Sequence, residues 1–242
     1  MLVIIIKIVF VSTVDNDDLV FEEAYNLITK NPEYKKYNIK FKIIDSKCSK
    51  EEFEKYIDFI KESNIVFTKL MGGKTSFSQF DNLYNIVNKY NILFLPLPTL
   101  NEVHPDLEEI TTVNNEIKLK VIEYLGYEGV ENYKNLLLFL ANKFGNMPLC
   151  YEEPKQMPWQ GIYYKNKQFN TVEEYLNYLK NCGIINNSNN SNNSNNNINN
   201  KPFIGILFYR NWYIGNNIDY INDLINLIEK KEEYLLQYLV LI

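Results

Sequence analysis

The sequence predicts an α/β protein: a doubly wound parallel sheet domain, followed by a linker helix and the first βα unit of an incomplete second α/β domain. The first observation is that short β-branched runs alternate four times with amphipathic segments before residue 146. Such alternation is typical of a parallel sheet with helices on both faces. The second observation is a later apolar run, Phe203–Tyr209, which is followed by another amphipathic segment.

Four predicted strands and the helices between them make up the first domain. The strands are Leu2–Val11, Ile39–Ile44, Ile65–Leu70 and Ile92–Leu97. Apolar residues at helical spacing predict the intervening helices at Phe21–Ile28, within Glu51–Glu62 and at Phe77–Val87. Two more helices run to Phe144, with apolar faces at Ile117, Val121 and Leu125 and at Leu136, Leu137 and Leu140. We therefore assign residues 1–146 to a Rossmann- or flavodoxin-like domain.

Residues 147–185 are interpreted as an inter-domain collar and helix. Prolines and a glycine interrupt regular structure at Pro154, Pro158 and Gly161. Large, mostly aromatic side chains follow or adjoin them, namely Trp159, Ile162, Tyr163 and Tyr164. Thr171 and Glu174 have the spacing of a capping box that opens a helix. Junctions of this kind often hold ligands.

The remaining sequence divides into two parts. The Asn-rich segment 186–200 has few core-forming side chains and is predicted to be a disordered insert. Residues 201–242 are predicted to be a truncated second α/β domain, with one strand and a helix around Ile218–Glu229. The final YLLQYLVLI follows without a Gly or Asn stop, so we expect truncation within a domain.

Composition narrows the class of protein. The formal net charge is −5 with a pI of about 5.2, which argues against a nucleic-acid or anionic-membrane partner. The widely separated Cys48, Cys150 and Cys182 are typical of a reducing cytoplasm and predict neither a disulfide framework nor a metal site. The apolar opening lacks a basic n-region and a cleavage site and is too short to span a bilayer. We therefore expect a cytoplasmic protein.

A glycine-rich turn, Gly72–Gly73 in MGGKTS, lies between a predicted strand and helix, where phosphate-binding loops occur. A Walker A loop would need glycine where the chain has Thr68. The alternative is a turn in which glycine permits positive φ, so that a small ligand group can approach the backbone. His104, the only histidine, is interpreted as an ordinary loop residue.

Arg210 follows the second predicted apolar strand, at the carboxyl end where open α/β sheets bind ligands. Trp212 is close to it in sequence, and Gly215–Asn216 are expected to begin a helix with free backbone N–H groups. A guanidinium with an aromatic plane suits a planar ligand that carries carboxylates. The alternative is a surface loop in which Arg210 pairs with a local Asp.

Four segments, in this order, carry a resemblance to a known family. They are LMGG at Leu70–Gly73, YLGYEGVENYKNLLLFLA at Tyr124–Ala141, QGIYY at Gln160–Tyr164 with the following TVEEYLNY, and IGILFYR…GNN at Ile204–Asn217. The sequence resembles the amino-terminal part of the large subunit of cobaltochelatase and magnesium chelatase, the CobN type. The chain departs from the family at Tyr164, where members commonly have His, and at Asn211–Trp212, where many have Ser-His.

The resemblance implies a function in cobalamin or related tetrapyrrole synthesis. It implies a tetrapyrrole or corrinoid precursor as ligand, cobalt or magnesium as substrate, and ATP hydrolysis on partner ATPase subunits, with no cofactor in this chain. The later domains that carry the family's proposed metal-insertion residues are absent from this sequence. The resemblance carries over Arg210 and the glycines Gly72, Gly73, Gly161 and Gly215 as residues near the ligand. With Trp212, Asn216 and Tyr163, which the residue pattern adds, they are the predicted ligand-binding residues, and no catalytic residue is predicted.

The leading hypothesis is therefore an amino-terminal fragment of a chelatase-type large subunit that binds a tetrapyrrole and is not catalytic alone. A different class of protein, a non-catalytic α/β small-ligand or protein-interaction module, is the first alternative. The second is a nucleotide-binding enzyme built on the Gly72–Lys74 turn.

Overall fold

Four parallel strands form the first sheet of the computed structural model, which describes residues 5–99, 103–185, 203–230 and 235–241. The strands are β1 (Ile5–Ser12), β2 (Asn38–Asp45), β3 (Ile65–Lys69) and β4 (Leu93–Leu95). Their order across the sheet is β2-β1-β3-β4, so the direction of winding reverses at β1 and β3. The predicted doubly wound parallel sheet is confirmed.

Helices cover both faces of this sheet. They are α1 (Asp17–Lys30), α2 (Pro32–Lys35), α3 (Lys50–Glu54), α4 (Ile57–Lys61), α5 (Phe80–Lys89), α6 (Pro105–Glu108), α7 (Asn115–Tyr127) and α8 (Val130–Gly145), with a 3-10 helix at Gly73–Ser76. The segment predicted as a single helix within Glu51–Glu62 is two short helices. The amides of Lys55 and Tyr56 bond three residues back, to Glu52 and Phe53, and this tighter turn separates α3 from α4.

Alternate side chains of β1 enter two separate cores, as the two-residue period of a strand requires. Ile6, Ile8 and Phe10 pack with residues of α1, α7 and α8. Val9 and Val11 pack on the opposite face with residues of α3, α4 and α5. All five are fully buried, and burial of a large apolar side chain contributes about 1.5–3 kcal/mol.

Contacts divide the chain into two compact units, Met1–Met157 and Pro158–Ile242. The second unit contains a hairpin of β5 (Ile162–Tyr164) and β6 (Lys167–Phe169), then α9 (Val172–Asn181), β7 (Phe203–Tyr209), α10 (Arg210–Ile214), α11 (Asp219–Lys230) and β8 (Leu235–Leu241). β7 and β8 pair in parallel, from Phe203 opposite Leu235 to Tyr209 opposite Leu241. The structure thus adds a strand that the sequence interpretation left out.

One of the two hydrogen bonds of the predicted capping box is present at the start of α9. Thr171 Oγ1 accepts a hydrogen bond of 3.1 Å from the Glu174 amide. The Glu174 carboxylate accepts its own bond, 2.8 Å, from the Asn170 amide and not from Thr171. The helix entry is therefore fixed from two successive residues.

Several sequence predictions concern residues beyond the described ranges. The predicted disordered insert 186–200 lies outside them, as do residues 2–4 of the first predicted strand. The predicted limits of the four segments of the chain stay a prediction. Within the described ranges, no helix combines the length and the apolar character that crossing a membrane requires.

Candidate functional site

A buried polar cluster lies at the carboxyl ends of β1 and β3 in the first unit. The Lys69 ammonium lies 3.4 Å from Asp17 Oδ1 and 3.2 Å from Glu128 Oε1. Ser12 Oγ donates to Asp17 Oδ2 at 2.6 Å, and the Tyr133 hydroxyl donates to Oδ1 at 3.0 Å. Ser12 and Lys69 are direct neighbours in the sheet register. The cluster therefore joins two strands and three helical segments at the point where the sheet reverses.

Burial has the largest effect on the pKa of Asp17 in this cluster. Desolvation raises the pKa of Asp17, while Lys69 and the hydroxyl groups of Ser12 and Tyr133 act in the opposite direction. Glu128 reaches Lys69 from a backbone with φ 57° and ψ −175°, a region that is otherwise almost confined to glycine. The sequence interpretation missed the cluster. The sequence pattern that could have indicated the cluster is a lysine at the end of an apolar strand together with an aspartate in the first helical turn after β1.

A cleft of about 440 Å³ opens beside the ends of β1 and β2. Its walls include Thr13, Asn16, Ile43 and Tyr56, with acidic groups at Asp15, Asp18 and Asp45. Open α/β sheets bind ligands at this edge. The acidic walls favour polar neutral or cationic groups over anions.

The turn at Gly72–Gly73 has positive φ at both residues, 86° and 69°, which confirms the glycine-turn interpretation. A Cβ atom at Gly73 would lie 2.5 Å from Nδ1 of His104, so the histidine ring occupies the space beside the glycine. Lys74 pairs with Asp106 at 2.9 Å. His104 is therefore a packing partner of the turn and more than an ordinary loop residue.

In the second unit, Arg210 lies at the predicted carboxyl end of β7, where it begins α10. It is only 5% exposed, so the alternative interpretation of a surface loop is wrong. Its Nε donates a 2.8 Å hydrogen bond to the carbonyl oxygen of Pro158, and its Cζ lies 4.9 Å from the ring centroid of Trp159. Trp159 itself is 53% exposed. The structure thus joins the collar to the end of β7.

Trp212 contacts two exposed tyrosines. Its ring meets Tyr220 edge-on at 5.2 Å and Tyr209 at 6.2 Å. The aromatic plane that the structure places on the Arg210 guanidinium belongs to Trp159, which sequence reasoning did not select because the two residues lie far apart in the chain.

The expectation that Gly215 and Asn216 begin a helix with free amides is wrong. Their N–H groups donate to the carbonyl oxygens of Asn211 and Tyr213, at 2.9 and 3.1 Å. They therefore close the carboxyl end of α10, and α11 begins only at Asp219. Asn216 has φ 55°, a left-handed conformation that is common just after a helix.

Gly161 and Tyr163 help to build the core of the second unit. A Cβ atom at Gly161 would lie 2.9 Å from Nε2 of Gln168, so the side-chain amide covers the glycine. The buried Tyr163 hydroxyl lies 2.8 Å from Oδ1 of both Asn166 and Asn222, and it accepts from the Asn166 amide at 3.0 Å. Binding of a ligand by these two residues stays a prediction.

Tyr164, at the position where family members commonly have His, donates its hydroxyl to Glu229 Oε1 at 2.6 Å. Lys165 pairs with the same carboxylate. Burial, followed by the bond to Glu229, raises the pKa of the Tyr164 hydroxyl, which therefore stays a protonated donor. The contact ties the hairpin to α11.

About half of the chain, including the collar and Arg210, is similar to a known protein family. Residues 122–240 match the family model described as CobN/Magnesium Chelatase. This stretch belongs to the CobN/magnesium chelatase family. The match includes Gly161, Tyr163 and Arg210, and it does not include the Gly72–Gly73 turn.

The curated relatives that this chain matches are much longer than the chain itself. The protein MJ0908 of Methanocaldococcus jannaschii is 58% identical over 231 residues, which are 96% of this chain and 17% of MJ0908. MJ1441 of the same organism is 28% identical over 119 residues, 49% of this chain and 8% of MJ1441. The chain therefore spans about a sixth or less of the curated relatives it matches.

A solved structure shares the fold. It is the catalytic subunit of cobaltochelatase from Mycobacterium tuberculosis, with a TM-score of 0.62 and 17% identity. The likeness covers 97% of this chain and 16% of that subunit. At this identity the likeness supports the α/β architecture and not a shared activity.

Proposed function

We propose that this CobN-type chain binds a tetrapyrrole, such as a corrinoid precursor, in cobalamin or a related cytoplasmic biosynthesis, and that it does not insert a metal by itself. The observation that carries the proposal is the junction of Arg210 with the collar, which lies within the family match. The exposed indole of Trp159 offers a flat apolar surface, and the buried guanidinium of Arg210 lies 4.9 Å from its ring centroid. A planar conjugated macrocycle matches such a surface.

The metal ion and the nucleotide take other roles in this proposal. Cobalt or magnesium is the substrate, and ATP hydrolysis belongs to separate ATPase subunits that associate with the large subunit. Neither the Gly72–Gly73 turn, filled on one side by His104, nor the Arg210 region is assigned a nucleotide.

Titration of the full chain with two water-soluble macrocycles, metal-free uroporphyrin and a cobalt-free corrin, tests the proposal. We expect saturable changes in the macrocycle absorption spectrum and one binding site per chain by calorimetry. No ATP hydrolysis and no cobalt or magnesium insertion should accompany binding. Metal insertion by the purified chain, or the lack of binding to either macrocycle, would contradict the proposal.

A protein-interaction module is the second candidate, and the exposed apolar side chains of the second unit favour it. Leu207 and Tyr209, which share one face of β7, are 65% and 68% exposed. Large exposed apolar side chains that adjoin one another mark interaction surfaces. Self-association of the chain without macrocycle binding would favour this candidate.

A further inference from the structure

We infer that the macrocycle stacks on the indole of Trp159 and that Arg210 is a positioning residue that supports this indole from behind. The inference rests on the proposed function and specifies its binding surface. It differs from the expectation that Arg210 itself pairs with the ligand.

Exposure separates the roles of the two side chains. Arg210 is 5% exposed, whereas Trp159 is 53% exposed and its neighbours Pro158 and Gln160 are exposed as well. A ligand that approaches this part of the second unit therefore meets the indole before the guanidinium. The guanidinium lies on the inner side of the ring, with Cζ 4.9 Å from the centroid.

The segment that carries Trp159 is fixed on both sides. Before it, the Pro158 carbonyl oxygen accepts the 2.8 Å bond from Arg210 Nε, and the proline ring restricts φ. After it, Gly161 lies directly under the side-chain amide of Gln168, whose Oε1 accepts a 2.7 Å bond from the Tyr213 hydroxyl. An aromatic ring held in this way loses little conformational freedom when a ligand covers it.

The chemistry of the stack selects a class of ligand. A guanidinium within about 6 Å of an indole centroid is attracted to the π face, so it holds the ring in one orientation. The opposite face can then take a planar conjugated ring in an offset stack. Cover from such a ring also removes indole surface from water, which a small polar ligand does not achieve.

Trp212 offers a matched control in the same unit. It is partly buried, and its ring is held by Tyr209 and Tyr220 at 6.2 and 5.2 Å. The sequence contains two tryptophans, so each single substitution leaves one intrinsic fluorophore. Emission from Trp159 alone is recorded in Trp212→Phe, and emission from Trp212 alone in Trp159→Phe.

The ligand test titrates metal-free uroporphyrin into the full chain and its variants. In Trp212→Phe, where Trp159 is the one remaining tryptophan, we expect uroporphyrin to quench the emission strongly. Trp159→Ala should weaken affinity by about tenfold or more, because the stacking surface is lost. Equal affinity in Trp159→Ala and the unsubstituted chain would overturn the inference while leaving the proposed function intact. No binding by the unsubstituted chain would overturn both.

The positioning role of Arg210 is tested without ligand. In the Trp212→Phe background, Arg210→Lys keeps the positive charge but loses the Nε donor and the planar group. We expect acrylamide to quench Trp159 more efficiently in this variant, with an unchanged circular dichroism spectrum. Unchanged quenching would show that Arg210 does not position the indole. Loss of uroporphyrin binding in Arg210→Lys with full binding in Trp159→Ala would show a direct contact of Arg210 with the ligand, and would also overturn the inference.

Discussion

The sheet of the first unit is buried on both faces, whereas β7 of the second unit leaves large apolar side chains in water. Ile6, Val9 and Phe10 of β1 are fully buried, while Leu207 and Tyr209 of β7 are more than half exposed. Polar groups are distributed in the opposite way. The first unit encloses ions around Lys69, and the second ties its elements together with tyrosine hydroxyls.

This difference indicates which interactions stabilise each unit. The apolar core of the first unit encloses an ammonium and two carboxylates. These groups must pair, because an unpaired charge costs several kcal/mol when it is buried. The second unit has a single core in which the hydroxyl groups of Tyr163, Tyr164 and Tyr213 cross-link the hairpin to α10 and α11. We expect the first unit to be most sensitive to loss of a charge and the second to loss of a hydroxyl.

Lys69→Met provides the strongest test of the enclosed charges. Removal of the ammonium leaves Asp17 and Glu128 without their shared cation, and we expect a loss of about 3–5 kcal/mol in the free energy of unfolding. Urea unfolding followed by far-UV circular dichroism measures it. Lys47→Met is the control, because Lys47 pairs with Asp15 on the exposed surface and its loss should leave the midpoint unchanged. Equal effects of both substitutions would refute the comparison.

Tyr164→Phe is the corresponding test of the second unit. It keeps the ring but removes the donor to Glu229, and we expect a loss of about 1.5–3 kcal/mol, as for other hydrogen bonds to charged groups. Both tryptophans lie in this unit, so fluorescence-detected urea unfolding reports on it. Tyr209→Phe is the control, since its hydroxyl lies on an exposed side chain. A larger loss in the control would contradict the assigned role of the hydroxyls.

Two glycines with the same φ, one in each unit, compare close packing directly. Gly73 and Gly183 both have φ 69°, but a Cβ at Gly73 would lie against the His104 ring and one at Gly183 would meet no atom within 4 Å. Gly183→Ala should cost about 1–2 kcal/mol from backbone strain alone. Gly73→Ala should cost measurably more, and adding His104→Ala should remove the excess. Equal costs for the two glycine variants would show that the ring yields freely.

Asp17→Asn tests the smallest expected effect, a change in the pH dependence of stability. Burial raises the pKa of Asp17 in the folded state above its ordinary value of 3.8. Its stabilising contribution is therefore largest below pH 3.8, where both states are protonated, and falls as pH rises through the folded pKa. Asp17→Asn should lack this slope in urea unfolding. A slope of opposite sign, compared with the variant, would mean that Lys69 outweighs burial.

The alternation of apolar runs and amphipathic segments was sufficient to predict the first sheet. The predicted helix at Phe21–Ile28 lies within α1, which ends at Lys30, shortly before Pro32. The division between α3 and α4 was missed because Lys55 and Tyr56 are not helix breakers. β8 was missed because no turn-forming residue precedes its apolar run in the sequence. Hydrogen bonds that reach only three residues back separate α3 from α4, and pairing with β7 forms β8. The local pattern of apolar residues predicts neither of them.

The candidate site was harder to predict than the sheet. The position of Arg210 at a strand end followed from the apolar run before it. Its contact with Trp159 did not follow, because no local spacing rule joins residues so far apart in the chain. Likewise, the pairing of Lys69 with Glu128 depends on a backbone conformation that glutamate rarely adopts, and sequence propensity does not predict it.

The close packing of α8 against β1 has a consequence for synthesis on the ribosome. A Cβ at Gly145, the last residue of α8, would lie 3.2 Å from Cβ of Ile6, so the two ends of the unit meet in its core. At translation rates of about 5–20 residues per second, roughly 7–28 s separate the emergence of these residues. During that interval the apolar face of β1 lacks its final cover in the nascent chain. We expect this strand to be a binding site for chaperones that act on nascent chains.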